Sequence, residues 1–140
     1  MYIFKQAHTG GEVGAHQDGA FLYTEPQSVL GFWWALEECT KQNGCLWAVP
    51  GSHNLGVHRR FRRNEAGTGV EFVPKEPVVW DLKDAVPLEC PAGTLVLIHS
   101  AVVHFSHDNT SPNTRHAYSI HVVDGKEGVV YPKDNWLQRD

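Results

Sequence analysis

The sequence lacks any hydrophobic stretch long enough to cross a membrane. A transmembrane helix needs about 20 consecutive apolar residues, whereas the apolar run at 29–36 has only the length of a strand. The N-terminus has no basic stretch followed by an apolar core, as a signal peptide would require. The C-terminus is not a peroxisomal signal of the Ser-Lys-Leu type. We therefore expect no membrane partner.

Cysteine is scarce, and its spacing argues against a disulfide framework. Cys39, Cys45 and Cys90 are odd in number and contain no C-x-x-C pair. This pattern favours reduced thiols in an intracellular compartment. We expect a cytoplasmic protein, and the sequence leaves a peroxisomal location open.

Neither positive nor negative charge is in large excess. The 12 Lys and Arg residues and 16 Asp and Glu residues give a formal net charge of −4, which argues against a nucleic-acid partner. Apolar residues make up 41% of the 140 residues, enough for a packed core. We expect a single, partial domain over 1–140 that acts on a small molecule; its oligomeric state is not readable from the sequence.

Helical periodicity is also missing. No segment keeps a 3.6-residue period over three turns, and apolar residues instead alternate in short runs between turn signals such as Asn43-Gly44. The predicted strands are 1–6, 29–36, 45–49, 78–80, 94–99, 101–105 and 117–123. Many short strands at this spacing predict an all-β antiparallel sandwich or barrel, most simply a jelly roll.

Residues 54–76 are polar, bear glycine and are rich in arginine, so we expect them to form a long loop. Four basic residues cluster there: Arg59, Arg60, Arg62 and Arg63. Such a cluster could grip the phosphates of an anionic substrate. A solvated loop without a binding role is the alternative.

The stretch GGEVGAHQDG at 10–19 places a histidine and a carboxylate among small residues. Residues i and i+2 of an extended strand point to the same face, so His16 and Asp18 project together while Gln17 points away. Two histidines and one carboxylate form the facial triad that leaves open positions on Fe(II). The neighbouring Gly14 and Gly19 would leave room for a ligand. A hydrogen-bonded turn is the simpler alternative.

A third metal ligand must come from elsewhere in the chain, which has nine histidines. His99 ends one apolar run and His104 lies in the next. A ligand is expected on a rigid strand that faces the barrel interior, and periodicity alone does not separate these two histidines.

Arg115 opens the final predicted strand and shares a face with Ala117, Ser119 and His121 on a period of two. An arginine that points into an apolar barrel needs an anion, because a buried unpaired guanidinium is very costly. A dicarboxylate co-substrate would supply one through a two-pronged contact. The alternative is a structural ion pair at the mouth of the strand.

Three stretches together resemble one known family. They are HQD at 16–18, NGCLWAVPGSH at 43–53 and RHAYSIH at 115–121. In combination they resemble the phytanoyl-CoA dioxygenase family, whose members are Fe(II)- and 2-oxoglutarate-dependent oxygenases with a double-stranded β-helix fold. The likeness covers nearly the whole chain.

The resemblance implies a set of site residues. The iron ligands would be His16, Asp18 and His104, which leaves His99 without a metal role. The residues that contact 2-oxoglutarate would be Arg115 and Ser106 at its distal carboxylate, with Met1, Gln17 and Trp34 lining the pocket.

The reaction implied is the oxidative decarboxylation of 2-oxoglutarate to succinate and carbon dioxide, with ascorbate as the reductant in vitro. It would be coupled to hydroxylation of a small-molecule substrate of the class of acyl-CoAs or other anions. The carboxylate of Asp18 favours hydroxylation, since halogenating relatives carry a small residue there.

Two further hypotheses stay open at this point. One is a cupin-like zinc or manganese hydrolase or isomerase, and the other is a catalytically inactive truncated member or binding domain. Because members of the family are longer than this chain, the β-helix is expected to be incomplete at the N-terminus. The missing half would supply helices that cover the larger sheet, so the chain alone is predicted to be poorly soluble.

Overall fold

The structure is a computed structural model that describes residues 1–138. The strands are β1 (Tyr2–Lys5), β2 (Val13–His16), β3 (Leu30–Ala35), β4 (Leu46–Ala48), β5 (Arg60–Arg63), β6 (Val70–Val73), β7 (Val86–Leu88), β8 (Leu95–His99), β9 (His104–Ser106) and β10 (Arg115–Val122). Short 3₁₀ helices span Asp18–Ala20 and Ser52–Leu55. Within this described part there is no α-helix, and no helix is long and apolar enough to span a membrane.

Eight of the strands form two four-stranded antiparallel sheets. The first has the order β1-β10-β3-β8, the second has the order β2-β9-β4-β7, and β5 and β6 form a separate hairpin. Side chains from the inner faces of both sheets meet in one core: Trp33, Ala35, Cys39, Cys45, Leu46, Ile98 and Ala117. This confirms the predicted jelly roll of the double-stranded β-helix type.

Alternation along the strands decides which side chains enter that core. In β10, Arg115, Ala117 and Ser119 are buried, whereas the intervening Tyr118 and Ile120 are exposed. Successive residues of a strand point to opposite faces. The three buried residues therefore point into the core, and the exposed apolar residues between them point outward. The predicted inward face of the final strand is confirmed.

The outer face of the first sheet carries many exposed apolar side chains: Tyr2, Phe4, Leu95, Leu97, Tyr118, Ile120 and Val122. Leu97 is 58% exposed and Tyr118 is 44% exposed. A contiguous apolar surface of this kind favours association with another apolar surface. The prediction of poor solubility depends on this face and stays a prediction.

All three cysteines are free thiols, as predicted. Cys39 and Cys90 lie opposite each other and exchange two backbone hydrogen bonds of 2.8 and 3.0 Å. Burial raises the pKa of Cys39 to about 12 and that of Cys45 to about 11. These two thiols therefore stay protonated at neutral pH.

Two predictions about the middle of the chain are wrong. The expected loop at 54–76 contains the hairpin β5–β6, whose alternation was hidden by its charged residues. Phe61 faces Phe72 across the hairpin with ring centroids 4.8 Å apart, and Arg62 is paired in register with Glu71. The predicted strand at 78–80 has no sheet partner, and the strand that joins the second sheet lies at Val86–Leu88.

Candidate active site

Strand pairing brings two histidines together inside the barrel. His16 ends β2, His104 begins β9, and the two are cross-strand partners with ring centroids 4.3 Å apart. The chain stays extended at Gln17 and then turns into the 3₁₀ helix that Asp18 begins. Asp18 Oδ1 consequently lies 3.6 Å from Nε2 of His16 and 3.6 Å from Nε2 of His104. One ligand atom from each of the three residues lies within 4.8 Å of the others.

Both histidines are oriented by the backbone. Nδ1 of His16 is 2.8 Å from the carbonyl of Gly14, and Nδ1 of His104 is 3.1 Å from the carbonyl of Val102. Since a carbonyl oxygen only accepts, each Nδ1 carries the proton and each Nε2 presents a lone pair to the cluster. This is the arrangement of a metal-ligating histidine, so the three side chains fit a divalent metal ion.

Electrostatics act differently on the three side chains of the cluster. Burial alone would raise the pKa of Asp18, but the hydrogen bond from His121 and the neighbouring rings of His16 and His104 hold it below its usual range. Burial alone would lower the pKa of His16, but the Asp18 carboxylate and the Gly14 carbonyl raise it above its usual value. Burial lowers the pKa of His104, which keeps its ring neutral at pH 7. An ionised carboxylate and a neutral imidazole are the ligand forms of these side chains.

The cluster and Arg115 line the same cavity of about 180 Å³. The arginine is only 1% exposed, and its Nε donates to the carbonyl of Gly44 at 3.1 Å. Burial lowers the pKa of this guanidinium. Among residues 1–138 no carboxylate forms an ion pair with it, so the structural ion pair considered above is absent there.

Three residues of the cavity lining carry a buried polar atom without a hydrogen-bond partner: Nη1 of Arg115, Oγ of Ser119 and Nε1 of Trp33. A buried donor without a partner costs about 1–3 kcal/mol. Three such atoms beside one cavity indicate that a polar group, and next to a guanidinium an anionic one, is meant to occupy it.

The predicted pocket residues divide into two groups. Met1 and Ser106 line the cavity, as do the three proposed ligands and Arg115. Trp34 does not, because alternation in β3 turns it to the outer face, where it stacks against Phe32 with centroids 6.0 Å apart. Its neighbour Trp33 lines the cavity and is buried. The assignment of Trp34 to the co-substrate stays a prediction.

Gln17 also lies outside the cavity, although it is buried. Its Nε2 donates to the carbonyls of Gly56 and Ala101 at 2.8 and 2.6 Å, and its Oε1 accepts from the backbone N–H of His58 at 3.0 Å. Pointing away from Asp18, the side chain fastens the loop around 56–58 to the site. The proposed role of Gln17 at the co-substrate stays a prediction.

The small residues beside the cluster have different roles. A Cβ at Gly19 would lie 2.1 Å from Nε2 of Gln27 and 3.1 Å from the carbonyl of Ser100, so this glycine allows close packing. A Cβ at Gly14 would meet nothing within 4 Å. Gly19 therefore allows close packing and does not provide room for a ligand.

The remaining predicted features lie away from the cluster. His99 ends β8 on the exposed side and contacts His53, with ring centroids 5.2 Å apart. In the arginine cluster, Arg60 pairs with Glu25, and Arg62 lies 3.8 Å from Glu71. These internal ion pairs weigh against a phosphate-binding role for the cluster.

Among the lining residues with a polar side-chain atom, three had no site role assigned from the sequence: Trp33, Ser119 and His121. The signal for two of them was present, since Ser119 and His121 follow Arg115 at even spacing in β10. The register of β10 with β3 then places Ser119 opposite Trp33.

The fold is that of non-haem oxygenases of known structure. The non-haem monooxygenase ThoJ, in its apo form, matches with a TM-score of 0.67 and 26% identity over 87% of this chain and 44% of its own. EvdO2 from Micromonospora carbonacea var. aurantiaca, solved with 2-oxoglutarate, matches with a TM-score of 0.65 and 22% identity, over 89% of this chain and 52% of its own.

Comparison of amino-acid sequences then identifies the family to which the chain belongs. The phytanoyl-CoA dioxygenase (PhyH) family profile matches residues 1–117, and the chain belongs to this family. Phytanoyl-CoA dioxygenase 1 of Oryza sativa subsp. japonica is 55% identical over 99% of this chain and 48% of its own length. Phytanoyl-CoA dioxygenase domain-containing protein 1 of Rattus norvegicus is 51% identical over the same shares. The chain thus spans about half the length of these curated relatives.

Proposed function

We propose that this chain carries the metal and co-substrate site of an Fe(II)- and 2-oxoglutarate-dependent dioxygenase. The reaction would decarboxylate 2-oxoglutarate to succinate and carbon dioxide and hydroxylate a C–H bond of a second substrate. One observation carries the proposal: a His-Asp-His cluster and a buried arginine without a carboxylate partner line the same cavity.

Each side chain has a definite task in this proposal. His16, Asp18 and His104 would hold Fe(II), which when bound supplies the binding and activation of dioxygen. Arg115 would bind the distal carboxylate of 2-oxoglutarate through its unpartnered Nη1, with Ser119, Trp33 and Ser106 close by in the same cavity. A zinc hydrolase of the cupin type has no need for such a dicarboxylate-binding arginine.

The second substrate would enter beside an apolar wall. The cavity lining includes Ile3, Val13, Leu46, Ile98 and Phe105. An apolar wall suits a substrate that is attacked at C–H, and it excludes water from the reacting centre. The names of the relatives point to an acyl-CoA, and we propose an acyl-CoA or a similar anionic molecule as the substrate class.

The test is whether 2-oxoglutarate binding depends on both the metal cluster and Arg115. Calorimetry under anaerobic conditions would measure Fe(II) binding first and 2-oxoglutarate binding second. We expect Asp18→Ala to lose the metal, and Arg115→Ala to keep the metal but lose the co-substrate. Equal 2-oxoglutarate binding with and without metal, or in the Arg115 variant, would refute the proposal.

A further inference from the structure

The two oxygens of Asp18 have different neighbours. Oδ1 faces the two ligand histidines, whereas Oδ2 lies 2.9 Å from Nε2 of His121 on the inner face of β10. His121 lies on β10 of the first sheet, whereas Asp18 follows β2 of the second sheet. Their hydrogen bond therefore connects the two sheets at the proposed metal site.

The direction of this hydrogen bond follows from the carboxylate. An ionised carboxylate only accepts, so Nε2 of His121 must carry the proton and donate it to Oδ2. While it donates, this nitrogen has no lone pair for a metal. His121 is therefore a partner of Asp18 and not a fourth ligand.

The backbone of β3 leaves space for the pair. Gly31 lies opposite His121, and a Cβ at Gly31 would stand 3.3 Å from Oδ2 of Asp18 and 3.4 Å from Cδ2 of His121. A larger residue would press on the hydrogen bond. The Asp18 carboxylate thus lies between the Nε2 donor of His121 and the backbone of Gly31, which has no side chain.

We propose that His121 is the positioning residue of Asp18. By occupying Oδ2, it makes the carboxylate a ligand through Oδ1 alone and leaves the remaining coordination positions to the co-substrate and dioxygen. This inference depends on the proposed metal site. Partners of this kind around metal ligands typically contribute 10- to 100-fold in metal affinity.

The experiment uses Co(II), which is stable in air, as the probe. Its dissociation constant would be measured by competition with a coloured chelator for the parent chain and for His121→Ala, His121→Gln and His121→Asn. The Nε2 of glutamine stands where Nε2 of histidine stands, whereas the amide of asparagine is too short to reach. We expect about 10- to 100-fold weaker binding for the Ala and Asn variants and near-parent binding for Gln.

His116→Ala is the matched control, because His116 lies on the same strand but on its outer face against Tyr2 and Phe4. It should bind Co(II) like the parent. The melting temperature of each metal-free variant separates positioning from structure. A His121→Ala variant with parent-like affinity, or a Gln variant as weak as Ala, would overturn the inference, as would a loss of thermal stability with affinity unchanged.

Failure of the metal site itself would look different. If the parent and Asp18→Ala bind Co(II) equally weakly, the proposed function fails, and the inference fails with it. If Co(II) binding depends on Asp18 but not on His121, only the role of His121 is refuted.

Discussion

Replacing Arg115 by methionine separates a co-substrate anchor from a structural residue. The substitution keeps most of the aliphatic volume and removes the guanidinium. In the structure this group has one hydrogen bond, from Nε to the carbonyl of Gly44, and its Nη1 has no partner. Affinity for 2-oxoglutarate and stability of the metal-free chain should therefore respond in different ways.

The magnitudes follow from the contacts. A charge-assisted hydrogen bond contributes about 1.5–3 kcal/mol, so losing a two-pronged contact to a carboxylate should cost about 2–4 kcal/mol of binding. At 1.4 kcal/mol per tenfold, this is about 30- to 700-fold in the dissociation constant. The free energy of unfolding should stay within about 1 kcal/mol or rise, because one weak bond is lost while a costly unpartnered donor is removed.

The assay is calorimetric titration of 2-oxoglutarate into the metal-loaded chain, together with urea unfolding of the metal-free chain. Arg115→Lys should fall between parent and methionine, since lysine keeps the charge but lacks the planar fork. Arg60→Met is the control, because its exposed pair with Glu25 is worth at most about 1 kcal/mol. Unchanged 2-oxoglutarate affinity with stability lowered by more than about 2 kcal/mol would show that Arg115 is structural and refute the reasoning.

Three further results are expected. Trp33→Phe removes the unpartnered indole N–H and should weaken 2-oxoglutarate binding about three- to tenfold. Trp34→Phe, on the outer face, should leave that binding unchanged. Equal effects of the two substitutions would contradict the placement of Trp33 beside the co-substrate. Burial lowers the pKa of Lys5 to about 8, so the unfolding free energy should rise from about pH 8 to 9, where the unfolded chain still holds that proton. Above about pH 9 the buried thiols of Cys39 and Cys45, whose pKa values are raised, contribute in the opposite direction. NMR titration of the Lys5 ε-methylene protons near pH 10.5 would contradict this. Leu97→Lys combined with Tyr118→Lys should raise the concentration at which the chain stays monomeric in light scattering, and an unchanged limit would show that the outer face does not cause association.

Much of the fold is readable from alternation. The strands predicted at 29–36 and 94–99 correspond to Leu30–Ala35 and Leu95–His99, because each is apolar and ends at a turn. The hairpin β5–β6 was missed, since its charged side chains form ion pairs on the surface of the hairpin and conceal the period of two. Such pairing depends on a partner strand that local sequence does not reveal.

In the candidate site, too, some features follow from local sequence and others depend on a partner strand. The spacing of His16 and Asp18, and the inward face of Arg115, follow from local geometry and were predictable. Local geometry does not separate His99 from His104, because this depends on which strand lies opposite His16; only the family resemblance favours His104. The inward position of Trp33 has a related cause: between two adjacent tryptophans, only the phase of the strand decides which points inward.

The central claim is that one cavity binds Fe(II) and 2-oxoglutarate for reaction with dioxygen. Its most direct test is the conversion of 2-oxoglutarate to succinate by this chain with Fe(II) and ascorbate, without a second substrate. We predict slow turnover that is lost in both Asp18→Ala and Arg115→Ala. A folded chain that binds Fe(II) and 2-oxoglutarate but forms no succinate, or whose turnover survives in either variant, would contradict the claim.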